Sequence, residues 1–311
     1  MKKTKIYLIL SIILYISFLS FFHMSDIVTI TKEVKDMIIN QLFPTLFPFM
    51  LIITICQKVG MIQLIAFFLQ FISRPFFRVS GNALSIYCFS ILSGYPTNAK
   101  MISNAYSLKQ IDEREADLLV KCAHHGSFSF IVYFVGMTIF HDIRIGFILE
   151  LAHILPTLIY FLISSKGKSE KMTWCNAWYP FSSAIYQHKI FDIIKDSLKE
   201  CMIAFIYIFG FMLVCKVSLI SLSHLFNSQI ILFLNGALEF SSGIILFNGS
   251  AYSYHIKLLM SVFYLSFGGL SVFLQVYQLM DHTPFHFKSY LFFRCFHALA
   301  SAFLVFIYLM N

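Results

Sequence analysis

Charged residues are scarce in this sequence. Lysine, arginine, aspartate and glutamate together make up 12% of the 311 residues, about half of the roughly 25% that is usual in a soluble globular domain. Hydrophobic residues make up 59%, and the mean hydropathy is +0.78. This composition argues against a soluble domain and against a disordered chain. It predicts an integral membrane protein that has the lipid bilayer as its first partner.

The motifs of catalytic and metal centres are also missing. The seven cysteines include no Cys-x-x-Cys pair, which argues against a disulfide framework and a zinc site. His-Glu-x-x-His, Gly-x-Ser-x-Gly, the P-loop and the dinucleotide fingerprint are absent. His124 and His125 are adjacent and would point in different directions on a helix, and Pro284 disfavours a helix that would pair His282 with His286. We therefore expect no metal, no cofactor and no enzymatic activity.

Basic residues exceed acidic ones, with a formal net charge of +8 at pH 7. They flank apolar segments rather than alternate with aromatic residues, so we do not expect nucleic acid as a partner. Lys2, Lys3 and Lys5 precede the first apolar run, which predicts a cytoplasmic N-terminus. No small-residue cleavage site follows that run, which favours an uncleaved first helix over a signal peptide.

Apolar runs of about the length needed to cross a bilayer recur along the chain. Two of them, 83–106 and 258–280, are interrupted by short polar breaks, and residues 26–41 have the spacing of an amphipathic helix at the membrane surface. The fold class is therefore an all-α polytopic membrane protein with about eight transmembrane helices plus two broken or re-entrant helical hairpins. The predicted transmembrane helices are 6–22, 40–56, 61–72, 126–140, 145–163, 201–222, 230–247 and 285–309.

The two halves of the chain resemble each other, which predicts two structural repeats. Lys35 and Asp36 begin a segment that matches one beginning at Lys195 and Asp196, and the two polar breaks also correspond. The repeats are parallel if 145–163 spans the membrane and inverted if it does not. The cationic linker favours inversion, and the sequence leaves both open. The predicted units are an N-terminal transmembrane helix at 1–25, a first repeat at 26–163, a polar linker at 164–190 and a second repeat at 191–311.

The first break reads Ser93-Gly94-Tyr95-Pro96-Thr97-Asn98-Ala99-Lys100. Gly94 relaxes the backbone, and Pro96 lacks an N–H and pushes Tyr95 out of the α region. A helix that restarts with Thr97 as its N-cap would direct N–H groups into the break, where they favour anions, and Lys100 adds a positive charge. The alternative is a simple turn in which Lys100 reaches the membrane interface. The predicted binding residues are Ser93, Gly94, Tyr95, Pro96, Thr97, Asn98 and Lys100.

The second break reads Ser266-Phe267-Gly268-Gly269-Leu270-Ser271-Val272, with Gln275 one turn further on. The two glycines form the turn, Ser271 restarts the helix, and Gln275 can both donate and accept a hydrogen bond. Paired interruptions of apolar segments are the best sequence indication of a transporter's binding site. We therefore expect the two breaks to face each other around a small anionic or polar solute. The residues predicted to bind it from the second break are Ser266, Gly268, Gly269, Ser271 and Gln275.

A few ionisable residues lie within apolar segments, where a charge is costly and by default indicates function. Glu239 is expected to pair with Lys100 or Arg294, or to take part in proton coupling, and a structural ion pair is equally compatible. A structural role is favoured for Arg294 and Glu150. Histidine ordinarily titrates near neutral pH, so His124 and His125 are candidates for a proton relay. The candidate charge-coupling residues are thus Glu239, Arg294, His124 and His125.

Together these motifs resemble the nucleoside-recognition Gate domain family of YlbJ-like sporulation integral membrane proteins, which includes the spore dipicolinate transporter. The resemblance extends from Lys35 to Ala302 and depends on both breaks, on 42–49, on 74–79 and on the segment around Glu239. The chain departs from the family at Asn98, where the family commonly has glycine. It departs again at 122–128, where Cys-Ala-His-His-Gly-Ser-Phe replaces an Asn/Ser-rich, proline-containing stretch.

The resemblance implies a multi-pass protein of the cell membrane or outer forespore membrane in spore-forming Gram-positive bacteria. It implies export of a small polar metabolite, plausibly dipicolinate, from mother cell to forespore. A nucleoside transporter and a non-transporting assembly protein of the spore envelope are the alternatives. Homo-oligomers or other spore membrane proteins are further partners compatible with these functions.

Overall fold

The computed structural model describes residues 14–15, 18, 21–95, 97–165, 167, 171–187, 190–223, 225–280, 283 and 285–310. Within these ranges the regular secondary structure is entirely helical. Most of the predicted helix at 6–22 lies outside the described residues, as do Pro96, His282 and Pro284.

The helices differ widely in length. Short π-helical segments occur at Ile38–Leu42, Ser73–Phe77 and Phe130–Ile139. The α-helices, numbered in chain order, are α1 (Met24–Met37), α2 (Phe43–Lys58), α3 (Met61–Ile72), α4 (Gly81–Ser93), α5 (Thr97–Ser107), α6 (Glu113–Cys122), α7 (Ile143–Ser164), α8 (Trp174–Gln187), α9 (Ile190–Ser223), α10 (Ser228–Leu238), α11 (Phe240–Asn248), α12 (Tyr254–Phe267), α13 (Gly269–Leu279) and α14 (Phe287–Met310).

Several helices are long and apolar enough to cross a membrane. The described residues contain five such spans, or six if the pair Met61–Phe77 and Gly81–Ser93, which is bent by 100°, counts as one span. An all-helical, multi-pass protein is therefore confirmed, whereas the number of about eight transmembrane helices is not. The five spans are Met24–Lys58, Ile143–Ser164, Ile190–Ile220, Tyr254–Leu279 and Phe287–Met310.

Two predicted spans are shorter than expected. The run 126–140 contributes the ten-residue π-helix Phe130–Ile139, because the chain at 124–127 is not helical. The run 230–247 is divided into α10 and α11 at Glu239, which adopts an extended conformation. Helices of nine to eleven residues cover only about half of the hydrocarbon core at about 1.5 Å per residue.

The predicted surface helix at 26–41 is continuous with the first span. α1, a π-helical turn and α2 form one helical segment of 35 residues, Met24–Lys58. Pro44 follows the π-turn and lacks the N–H that would continue a regular α-helix, which accounts for the local rewinding. Val34 and Met37 are buried, and Glu33 approaches Lys216 of α9 at 3.7 Å.

The predicted polar linker contains a helix that docks on the first half. Gln70 of α3 exchanges two hydrogen bonds with the backbone of Met172, at 3.1 and 2.9 Å. Trp174, at the start of α8, packs edge-on against Phe67. These contacts with α3 hold the linker in place, so the linker does more than connect the two halves.

Two apolar clusters enclose the middle of the molecule. One is built mainly from α3 to α6 and α13, and the other from α1, α2, the Phe130–Ile139 π-helix, α7, α9 and α12. Phe240, which follows Glu239, packs against both clusters. The polar residues between the two clusters form the site described next.

Candidate solute-binding site

The two predicted breaks meet at Arg294 of α14. Its side chain is fully buried, donating from Nε to the Phe267 carbonyl at 3.1 Å and from Nη1 to the His124 carbonyl at 2.7 Å. Nη2 donates to the hydroxyl of Tyr95, which in turn donates to the His124 carbonyl at 2.8 Å. No carboxylate within the described ranges pairs with the guanidinium. Arg294 thus fixes the ends of α4 and α12 to one another as a buried cation with neutral partners.

Glycine is required where the breaks approach each other. Gly268 and Gly269 have φ angles of +87° and +79°, which side chains other than hydrogen rarely tolerate. A Cβ on Gly268 would lie 3.3 Å from Arg294 Nη2, and a Cβ on Gly269 would lie 3.1 Å from the Leu238 carbonyl oxygen. A Cβ on Gly94, at φ +72°, would lie 2.7 Å from the Ser127 backbone nitrogen. The second break is therefore in close contact with Arg294 and with the end of α10, and the first break with Ser127.

Glu239 forms a third break between α10 and α11. Its backbone is extended, and its carboxylate accepts hydrogen bonds from Ser241 N at 3.1 Å, Ser242 N at 2.6 Å and Ser241 Oγ at 2.7 Å. The predicted pairing of Glu239 with Lys100 or Arg294 is therefore wrong. The negative charge is instead stabilised by the N-terminal N–H groups of α11.

A small inner cavity lies where the three breaks meet. Its volume is about 30 Å³, enough for one or two water molecules and too little for a metabolite. Each of the three breaks, and the loop before the Phe130–Ile139 π-helix, contributes at least one polar group. The polar lining residues are Tyr95, Ser127, Glu239, Ser241, Ser271 and Gln275.

A larger outer cavity of about 150 Å³ adjoins the inner one, and Gln275 lines both. Lys100 and Thr97 of α5 and Glu200 of α9 form its polar wall. Glu200 Oε2 accepts from Lys100 Nζ, and Glu200 Oε1 lies 2.9 Å from Lys58 Nζ. Two lysines thus share one carboxylate, which leaves a net positive charge at this opening.

Sequence reasoning identified Lys100 but missed Lys58 and Glu200. Lys58 ends α2 and Glu200 lies near the start of α9, so each is an ordinary charge at the edge of an apolar run. Their association requires contact between residues more than a hundred positions apart, for which the sequence carries no local signal.

Among the remaining predicted residues, some form hydrogen bonds away from the cavities and others line them. Ser93 donates to Asn98, which donates from Nδ2 to the His125 carbonyl at 3.2 Å. Ser266 is 2.8 Å from Nδ1 of His153. Thr97 is the first residue of α5 rather than its N-cap, and α13 begins at Gly269 rather than at Ser271. These hydrogen bonds position the breaks, while Thr97, Ser271 and Gln275 line the cavities.

The stretch at 122–128 contributes backbone carbonyls as well as side chains to the site. The carbonyls of His124 and His125 accept the hydrogen bonds from Tyr95, Arg294 and Asn98 described above. Both imidazoles are completely buried, and Nδ1 of His124 is 2.7 Å from the Val120 carbonyl. This departure from the family pattern therefore lies against the first break.

The chain is 25% identical over 281 residues to the sporulation integral membrane protein YlbJ of Bacillus subtilis (strain 168), in an alignment covering 80% of this chain and 69% of that protein. The similarity supports the predicted resemblance to YlbJ-like sporulation integral membrane proteins, whereas the Gate domain stays a prediction. No family model matches the chain. No solved structure matches it either.

Proposed function

We propose that this chain, assigned to the YlbJ-like family, transports a small anionic or polar solute across a membrane during sporulation. The observation that carries the proposal is the meeting of three helix breaks at one buried polar centre beside Arg294 and Glu239. Irregular backbone at membrane depth persists only where protein or a cavity covers it, and in transporters such breaks form the substrate site. No chemical step is required of the residues involved.

The charge around the cavities favours an anion. Lys100 lines the outer cavity and shares Glu200 with Lys58, so this cluster has more lysines than carboxylates, and Arg294 has no acidic partner within the described ranges. The charge of Glu239 is offset by the first N–H groups of α11. An anion entering past Lys100 would therefore meet positive potential along its path.

The inner cavity must widen before a solute can occupy it. Its volume of about 30 Å³ is too small for a metabolite, and the outer cavity of about 150 Å³ adjoins it. Gln275 separates the two and can donate to or accept from a passing solute. We propose that the solute enters through the outer cavity and that alternating access takes place around the three breaks.

Dipicolinate is the first solute to test, because the family resemblance implies it and because a planar dicarboxylate suits a path with cations at both ends. Uptake of dipicolinate, nucleosides and small dicarboxylates would be measured with the purified full-length protein in liposomes. We expect uptake of an anionic solute by the wild type. A protein that takes up nucleosides but not dicarboxylates would change the proposed solute.

Two substitutions test whether the breaks carry the transport. We expect Lys100→Ala and Gly268→Leu to abolish uptake while the protein still inserts, since the first removes a charge and the second forces a side chain onto Arg294. Lys288→Ala and Gly210→Leu are the matched controls, because Lys288 is exposed and Gly210 has open space beside it. Unchanged uptake in both site variants would reject the proposal.

A non-transporting assembly protein of the spore envelope is the second candidate. It is favoured by α8, which presents Trp178, Tyr179 and Tyr186 on its surface. In that case sporulation would tolerate Lys100→Ala but fail when these three aromatic residues are replaced by serine. The transport proposal predicts the reverse result.

A further inference from the structure

Three buried histidines form a row beside the second break. The ring centres of His125 and His153 are 5.3 Å apart, and those of His153 and His297 are 4.8 Å apart. The three rings come from the loop after α6, from α7 and from α14, and each residue is completely buried. Side chains from three elements thus bring three titratable rings into contact.

Glu150 lies one helical turn before His153 on α7 and is also buried. In the part of the chain that the structure describes, neither of its carboxylate oxygens has a hydrogen-bond partner, and the same holds for both ring nitrogens of His125 and for Nδ1 of His297. Buried polar groups are nearly always bonded, and an unpaired buried carboxylate is strongly disfavoured. The arrangement therefore favours a proton on Glu150 and leaves nitrogen atoms free to carry one.

The surroundings oppose a permanent positive charge on the row. All three imidazoles are completely buried, which disfavours a charge on them, and the buried cation Arg294 hydrogen-bonds to the carbonyl of His124, next to His125. A neutral imidazole has one donor and one acceptor, so it can accept a proton on one side and release one on the other. The other titratable groups near the row include His124 of the loop, Tyr87 of α4, which contacts the His125 ring, and Tyr290 of α14, which contacts the His124 ring.

Hydrogen bonds of His153 connect the row to the inner cavity. Its Nε2 accepts from Gly126 N at 3.3 Å, so Nδ1 carries the hydrogen and donates to Ser266 Oγ at 2.8 Å in the neutral ring. Gly126 lines the inner cavity, and Ser266 is the second-last residue of α12 before Gly268. A proton on Nε2 would remove the acceptor for Gly126 N–H and so release one wall of the cavity.

We infer that Glu150 and the row His125–His153–His297 form a proton-binding site whose loading loosens the Gly126 wall of the inner cavity. The inference rests on the proposed transport function and adds that the solute moves together with a proton. The proton comes from water on one side of the membrane, passes between Glu150 and the imidazoles, and returns to water on the other side. Within the described residues no group of three or more His, Cys, Asp or Glu side chains is arranged to hold a metal ion.

Infrared difference spectra between acidic and alkaline buffer test the proton site without requiring transport. In the reconstituted full-length protein we expect a carbonyl band from a protonated buried carboxyl that disappears in Glu150→Gln. Glu150→Asp keeps a carboxyl and should shift the band, which separates loss of the group from failure to fold. Glu113→Gln, at an exposed position on α6, should leave the band unchanged. A wild-type spectrum identical to that of Glu150→Gln would overturn the inference.

Solute uptake with and without an imposed pH gradient tests the coupling. We expect the gradient to change wild-type uptake several-fold and to have no effect in His153→Gln, whereas His255→Gln, at an exposed position on α12, keeps the response. Wild-type uptake that ignores the gradient would refute the coupling and leave the transport proposal standing. Absence of any uptake would refute the transport proposal, and the infrared band would then decide on the proton site alone.

Discussion

Arg294 is the residue on which the geometry of the site depends most. It hydrogen-bonds to one acceptor on each of three segments that are far apart in the sequence, namely Phe267, His124 and Tyr95. A guanidinium offers five N–H donors in a planar fork, which suits three acceptors in different directions. Arg294 thus has a structural role, because its hydrogen bonds hold the two predicted breaks in place.

Replacing Arg294 by lysine should destabilise the protein although the charge is kept. A lysine ammonium cannot reach all three acceptors in the geometry of a guanidinium, and each buried acceptor left unsatisfied costs about 1–3 kcal/mol. Thermal unfolding in detergent would show a lower midpoint for Arg294→Lys. Arg144→Lys is the matched control, because Arg144 is 85% exposed and its side chain pairs with nearby Asp142. Equal midpoints for the two variants would contradict the role assigned to Arg294.

At the scale of helices, the two glycine-containing breaks were predictable and the third was not. Gly94, Gly268 and Gly269 adopt positive φ angles, which glycine tolerates best, so the glycines themselves indicated where the helices are interrupted. Glu239 instead adopts an ordinary extended conformation, so its neighbours carry no comparable signal. The break at Glu239 is stabilised by its hydrogen bonds with the first N–H groups of α11 and by the packing of α10 against α11.

The meeting of α10 and α11 depends on a glycine pair that sequence reasoning did not use. A Cβ on Gly243 would lie 2.1 Å from the Cα of Gly236, so the two helices are in backbone contact. Small residues allow such close approach between helices in membranes. The sequence did not predict the break at Glu239, because the contact between Gly236 and Gly243 is visible only in the packed structure of both helices.

Removing the Glu239 side chain should shorten or fray α11. Glu239→Ala eliminates the two backbone hydrogen bonds that cap the helix, for which we expect a loss of about 1–2 kcal/mol. Asn227→Ala removes the exposed N-cap of α10, which accepts from Ile230 N at 2.9 Å, and should have a smaller effect. Amide hydrogen exchange would report faster exchange across Phe240–Asn248 in the first variant. Unchanged exchange there would show that the cap is dispensable.

At the scale of the whole molecule, α2 and α9 close the outer cavity from opposite halves of the chain. Thr54 and Cys201 both line that cavity, with Thr54 Oγ1 3.6 Å from Cys201 Sγ. Both long segments, Met24–Lys58 and Ile190–Ile220, were expected to contain spans, and the sequence indicated their similarity. The duplication itself stays a prediction, as does the choice between parallel and inverted repeats.

Joining α2 to α9 should stop transport if these helices separate during the cycle. The 3.6 Å separation places a cysteine at position 54 within reach of a disulfide to native Cys201. We expect oxidised Thr54→Cys to lose uptake and to regain it after reduction. The same substitution combined with Cys201→Ser should be insensitive to the oxidant. Full uptake by the cross-linked protein would show that α2 and α9 stay together throughout.

The volume of the inner cavity has a consequence for the electrical properties of the membrane. A space of about 30 Å³ holds at most a water or two, too few for an unbroken file of water along which ions could leak. With the inner cavity at this volume, the protein should therefore have negligible conductance in a planar bilayer, despite the polar groups at its centre. A cell could then maintain its membrane potential while the protein has no solute bound.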